Sequence, residues 1–149
     1  MSMPPIAVGE TRRFSKTLTE TDVSVFAGLT GDLARVHVDE AAMRSSRFGG
    51  RIVHGALLIG LIGTTVTMLV ETPAFKVEGA VPVVLGYRDI RFFAPVRLDD
   101  TIAATLTITR LDPAKARAMA EVVLVNQAGT TVMTGSVTIQ WVADGSSSP

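Results

Sequence analysis

The stretch Ile52-Val53-His54-Gly55-Ala56-Leu57-Leu58-Ile59-Gly60-Leu61-Ile62-Gly63-Thr64-Thr65-Val66-Thr67-Met68-Leu69-Val70 decides the architecture. Residues 56–70 carry no charge and include only threonine as a polar side chain. The run is shorter than the ~20 residues a membrane span requires. It therefore reads as a helix, apolar on nearly every side and so enclosed by other structure. Gly60 and Gly63 lower helix propensity inside it, which points to something packed close to the backbone.

C-terminal to this helix the pattern changes to period two. Residues 81–93, 101–111, 116–126 and 130–141 read as four consecutive strands rich in Val, Ile and Thr. Asp112-Pro113 and Gln127-Ala128-Gly129 are the turns that make the last three antiparallel neighbours. One apolar helix and an antiparallel sheet bury each other most economically when the sheet curls around the helix. The expected fold is thus α+β, a single hot-dog domain over residues 1–149. A polar tail at 144–149 is expected to be disordered. Such a sheet has free edges, and pairing two copies would hide one of them, so a homodimer is expected.

N-terminal to the helix, residues 10–18 read as a short strand. Thr19-Glu20-Thr21-Asp22 offers a capping-box start. Val23, Phe26, Ala27 and Leu29 continue at helical spacing until Gly31 stops the helix. A turn at 32–38, a short helix at 39–45 and a loop at 47–51 follow.

The composition bounds the function. Of 149 residues, 47% are apolar and 19% charged, a globular balance, and aromatics at 5% leave the core to aliphatic side chains. Fourteen basic residues balance fourteen acidic ones, so no basic surface for nucleic acid stands out. There is no cysteine, which excludes disulfides, thiol nucleophiles and thiolate metal sites. Residues 1–10 lack the basic and apolar regions of a signal peptide. A cytoplasmic protein with no membrane segment is expected.

Both histidines, His37 and His54, lie close in sequence to Asp32. A turn from Asp32 to His37 can bring a carboxylate and an imidazole into one cleft, where they share a water: the carboxylate accepts its proton and the imidazole positions it or relays a proton. His54-Gly55 begins the apolar helix, whose first amides have no internal partner and carry the positive end of the dipole. A thioester carbonyl placed there would be polarised, and glycine permits the close approach. Each residue has a plainer role open to it. Asp32 follows a glycine in a turn, His37 can simply pack, His54 can orient the loop, and Gly55 can serve helix packing. Gly49-Gly50 does not belong to a phosphate loop. Arg47, Arg51, Arg88 and Arg91 are candidates to meet phosphates, or ordinary surface arginines.

The run Phe26-Ala-Gly-Leu-Thr-Gly-Asp32-Leu-Ala-Arg-Val-His37-Val-Asp39, followed by Arg47-Phe48-Gly49-Gly50-Arg51-Ile52-Val53-His54-Gly55, resembles the MaoC-like dehydratases, which include (R)-specific enoyl-CoA hydratases. Phe92-Phe93-Ala94-Pro95-Val96-Arg97 is similar to the family's strand ending in an aromatic and Pro-Val. The resemblance covers about residues 8–142. It implies reversible hydration of a trans-2-enoyl-CoA to a (R)-3-hydroxyacyl-CoA, with Asp32 and His37 as the catalytic pair and the Gly55 amide on the thioester oxygen. It also implies an acyl tunnel beside the central helix, for whose end the segment 72–81, with Pro73 and Phe75, is the candidate lining, coenzyme A along a homodimer interface, and no cofactor or metal beyond the coenzyme A of the substrate. The chain departs from the family pattern Asp-x-Asn-Pro-x-His at Ala34 and Arg35. It departs again at Gly63, where some relatives carry a serine that Thr64 or Thr65 would have to replace. Arg35 would set a positive charge near the catalytic carboxylate, suiting a base or a carboxylated substrate.

Two other readings stay open. A hot-dog thioesterase usually carries a carboxylate on the central helix, and here none occurs before Glu71. A binding or partner subunit without catalysis would fit the altered turn and the missing serine.

Overall fold

The computed structural model describes residues 3–145. Strand β1 (Thr11–Thr17) leads into helix α1 (Glu20–Thr30). The capping box forms as expected: Thr19 accepts from the Asp22 amide, and Asp22 accepts from the Thr19 amide at 2.8 Å. Gly31 ends α1 with φ 75°, a left-handed position that suits glycine. The turn at 32–38 is not irregular throughout, because Arg35–Val38 closes one helical turn, α2. Asp39 then accepts from the Ala42 amide at 2.9 Å and starts α3 (Glu40–Arg44).

The long helix α4 spans Gly55–Val70, followed by β2 (Ala80–Phe92), β3 (Thr101–Asp112), β4 (Arg117–Val125) and β5 (Thr131–Ala143). All pairings are antiparallel, in the order β1-β3-β4-β5-β2. The sheet packs on α4, giving the hot-dog arrangement. Leu58, Leu61, Ile62, Thr65, Val66 and Leu69 of α4 are buried at helical spacing. Against them lie Ile102, Leu106 and Ile108 of β3, Leu124 of β4 and Ile139 of β5, each fully buried in the same core.

The helix is covered on one face, not all round. Ala56, Gly60, Thr67 and Met68 are exposed. A Cβ added at Gly60 or Gly63 would meet nothing within 4 Å among the described residues, so the close packing expected at these glycines is absent within the chain. Thr65 is fully buried and its hydroxyl donates to Ile62 O at 2.7 Å, which removes it as a replacement for the serine. Phe75 is buried at the far end of α4 beneath the Arg12 guanidinium, 5.5 Å from its centroid, and plugs the core there.

The tail expected from 144 begins with a bond, the Asp144 amide donating to Gly79 O at 3.1 Å; residues 146–149 lie outside the described residues. No helix among the described residues is long and apolar enough to cross a membrane.

Candidate active site

The candidate residues meet where residues 32–37 pass alongside 52–55. The Ile52 amide donates to Val36 O at 3.0 Å, and the His37 ring nitrogen Nδ1 lies 2.8 Å from Ile52 O. A carbonyl oxygen can only accept, so Nδ1 carries the hydrogen. That leaves Nε2 of His37 as the nitrogen available for chemistry. One residue further on, the Val53 amide donates to Val96 O at 2.8 Å, tying the segment to the strand-like stretch after β2.

Asp32 is held through its main chain and its side chain. Its amide donates to Thr30 Oγ1 at 3.3 Å, and its Oδ1 accepts from the Ala34 amide at 3.4 Å. One ligand atom each from Asp32, His37 and His54 lies within 4.8 Å of the others. A water or a cation could occupy such a cluster. The sequence-predicted pair is thus brought together.

A cleft of about 400 Å³ is lined by His37 and Gly55 together with Phe48, Ile52, Val53, Leu58, Phe92, Phe93, Ala94, Pro95 and Val96. The imidazole and the first residue of α4 therefore face one apolar space, while Asp32 is exposed beside His37 and is not part of the lining. A Cβ added at Gly55 would lie 2.8 Å from Cζ of Phe92, so any side chain there must displace that ring. Here glycine is a matter of room as well as of approach to the amide.

Two expectations are corrected. His54 does not line the cleft. Its ring is 1% exposed, and Nε2 lies 3.0 Å from Asp32 O, so it donates to the main chain of the candidate base, away from the cleft that Gly55 lines. Arg51 is not a surface phosphate ligand. Its side chain, 12% exposed, bonds Glu20 at 2.8 Å and Glu40 at 3.2 Å, and its amide donates to Glu40 as well. These bonds hold the Glu40 carboxyl below its ordinary range, the amide of Arg51 first and its guanidinium next. In effect Arg51 clamps α1 and α3 onto the loop that delivers residues 52–55. The signal that could have revealed it is the pair of acidic residues at the two helix starts, although nothing in their spacing indicates a shared partner.

The other three candidate arginines stay at the surface. Arg47 is exposed over the Phe48 ring, 5.0 Å from its centroid, at the edge of a cleft-lining side chain. Arg88 and Arg91 are exposed on β2 and do not line the cleft. Arg35 turns to Asp39, with Nε 3.4 Å from Oδ2, and this pairing follows the amide of Ala42 in lowering the Asp39 pKa.

Against this geometry the comparisons with known proteins fall into place. Residues 5–133 match the MaoC like domain family, and the chain belongs to it. An (R)-specific enoyl-CoA hydratase from Rhodospirillum rubrum is 36% identical over 110 residues, covering 74% of this chain and 71% of the relative. A 3-hydroxybutyryl-CoA dehydratase from Methylorubrum extorquens is 32% identical over 113 residues, covering 76% and 67%. Among solved structures, the (R)-hydratase from Aeromonas caviae superposes with a TM-score of 0.79 at 28% identity, covering 91% of this chain and 97% of that one.

Proposed function

We propose that this protein is a hydro-lyase that adds water reversibly across the double bond of a trans-2-enoyl-CoA to give a (R)-3-hydroxyacyl-CoA. The observation that carries the reading is the apolar cleft that His37 and Gly55 share, with the Asp32 carboxylate alongside His37. A water held between Asp32 and Nε2 of His37 gives up a proton to the carboxylate as its oxygen bonds to C3. The electron pair of the double bond moves onto the thioester, and the enolate oxygen is held by the free amides at the start of α4. Losing one such donor typically costs about 10²–10³ in rate. The proton taken from water returns to C2, through the imidazole or directly, and the Asp32–His37 pair is regenerated.

The walls of the cleft support an uncharged acyl group. Apart from His37 they are apolar, and the guanidinium of Arg35 is engaged by Asp39. The α4 face from Gly55 to Val70 carries no carboxylate, which disfavours thioester hydrolysis. We propose also that two copies pair along β2. It is a sheet edge that exposes Val81, Val84, Leu85, Tyr87 and Phe92, and a partner would cover the open side of α4 at Gly60 and Gly63. Arg47, Arg88 and Arg91 are then the side chains proposed to meet the phosphates of coenzyme A.

The test is ultraviolet loss of the conjugated enoyl thioester with crotonyl-CoA and a longer 2-enoyl-CoA. Turnover giving the (R)-3-hydroxy thioester, unchanged by a chelator, is the expected result. Release of free thiol would favour a thioesterase. Tight acyl-CoA binding without turnover would make the protein a binding subunit. Activity lost on chelation and restored by a divalent cation would turn the three-residue cluster into a metal site.

A further inference from the structure

The buried imidazole of His54 touches both members of the candidate catalytic pair. Its Nε2–H donates to the main-chain carbonyl of Asp32 at 3.0 Å. Its ring stacks on that of His37, with centroids 3.8 Å apart and planes 25° apart. Phe26 of α1 closes another side of the ring, 4.9 Å away and tilted by 53°. These contacts come from α1 and from the 32–37 turn, and they converge on one side chain that is 1% exposed.

The donation from Nε2 fixes the tautomer of a neutral ring and places a lone pair on Nδ1. Nδ1 is itself buried and has no hydrogen-bond partner among the described residues. A buried acceptor left unsatisfied is a cost to folding, and a hydrogen bond gained elsewhere on the same ring recovers only part of it. Phenylalanine would fill the same flat space between Phe26 and His37 without that cost. Packing alone therefore does not account for histidine at this position. What phenylalanine cannot supply is the bond to Asp32.

We propose that His54 is a positioning residue. It anchors the Asp32 carbonyl, and with it the start of the 32–37 turn, while its face sets the plane of the His37 ring. The turn has few other side-chain restraints: the His37 ring is tied at one end to Ile52 O at 2.8 Å, Ala34 brings no polar side chain, Arg35 is engaged by Asp39, and Asp32 makes long bonds to Thr30 and Ala34. Released from His54, the carboxylate and the imidazole would keep their identities but lose their mutual placement. Misplacement of about 1 Å in a catalytic group can cost 10²-fold in rate.

The inference rests on the hydratase reading for its kinetic arm, and a second arm is independent of it. His54→Phe keeps the ring volume and removes the donor, whereas His54→Gln returns an N–H of similar reach. In the kinetic arm, His54→Phe is expected to lower kcat about 10²-fold with KM within a factor of three and Tm unchanged or raised. His54→Gln is expected to recover at least a tenfold share of the lost kcat. In the second arm, hydrogen exchange at the His37 and Val38 amides, both bonded to Ala34 O, is expected to accelerate at least tenfold in His54→Phe, with exchange in β3–β5 unchanged.

Should the wild type prove inactive on enoyl thioesters, the hydratase reading fails and the exchange arm still decides the positioning role. A His54→Phe protein with kcat within twofold of wild type, or with unchanged exchange at His37 and Val38, would overturn the proposal. So would a fall in Tm that leaves the kcat of the folded fraction intact, since that would assign the ring to packing.

Discussion

The sheet formed by β3, β4 and β5 and the corner between Asp32 and Gly55 are held together in opposite ways. In the sheet, long antiparallel ladders, each with one register shift, carry the backbone, and inward side chains such as Leu106, Leu124 and Ile139 are fully buried. In the corner only the short helices α2 and α3 are regular, and single bonds made by side chains do the holding: His37 to Ile52 O, His54 to Asp32 O, and Arg51 to the carboxylates of Glu20 and Glu40. Stability in the first region comes from area removed from water and close packing. Placement in the second comes from a few directional contacts. The two should therefore fail independently, and a substitution in one region should leave the property governed by the other largely intact.

The largest expected separation comes from the core. Leu106→Ala should cost about 2–5 kcal/mol of stability, since a large buried side chain leaves a cavity on truncation. Thermal unfolding would show a fall of several degrees, while the kcat of the folded fraction should stay close to wild type. A comparable loss in kcat would mean that core and corner are one cooperative unit.

Gly55→Ala reverses the pattern. The added Cβ must push aside the Phe92 ring, which is half exposed and can move, so Tm should change little. Turnover should fall about 10²-fold if the first amide of α4 holds the thioester oxygen. Arg51→Gln is intermediate. Glu20 and Glu40 are substantially exposed and lose little when the guanidinium goes, so stability should fall by no more than about 1 kcal/mol. The loop 52–54 should loosen, and kcat should drop several-fold more than that loss of stability explains.

The smallest effect concerns acid. Asp22 has its pKa lowered, first by the Thr19 amide and also by Lys16. A group with a depressed folded-state pKa contributes stability above the unfolded value near 4 and loses it as pH falls through the lower folded value. Asp22→Asn should therefore flatten the decline in Tm below about pH 4 and leave kcat at neutral pH unaltered.

These regions also differed in how much could be read from the sequence. The strands and α4 announce themselves by period, and the capping box of α1 and its glycine stop are local signals, so all of them lie where expected. The pairing of β1 with β3 and of β2 with β5 joins segments far apart in the chain, and no local pattern encodes it. The apolar run of α4 looked enclosed on every side because composition does not tell a neighbour in the same chain from an open face. In the corner, Asp32, His37 and Gly55 were legible from residue type and spacing, and the fold sets His37 and Gly55 on one cleft with Asp32 beside His37. The ring direction of His54 and the two carboxylates on Arg51 depend on which segments meet in space. A thioester contact for the one and a phosphate contact for the other were reasonable expectations that tertiary packing replaced. Family membership rests on residues 5–133 as a whole, whereas the roles of individual side chains rest on this geometry.

The central claim is that chemistry belongs to Asp32 and His37 and not to the fold at large. Its most direct test is the rate of enoyl-CoA hydration by Asp32→Asn and His37→Gln beside the wild type, with Tm measured on the same samples. The account predicts a loss of about 10³-fold or more in kcat/KM for each variant, equivalent to about 4 kcal/mol of transition-state stabilisation, with Tm within a few degrees of wild type. Near-normal turnover in either variant, in protein that remains folded, would contradict it.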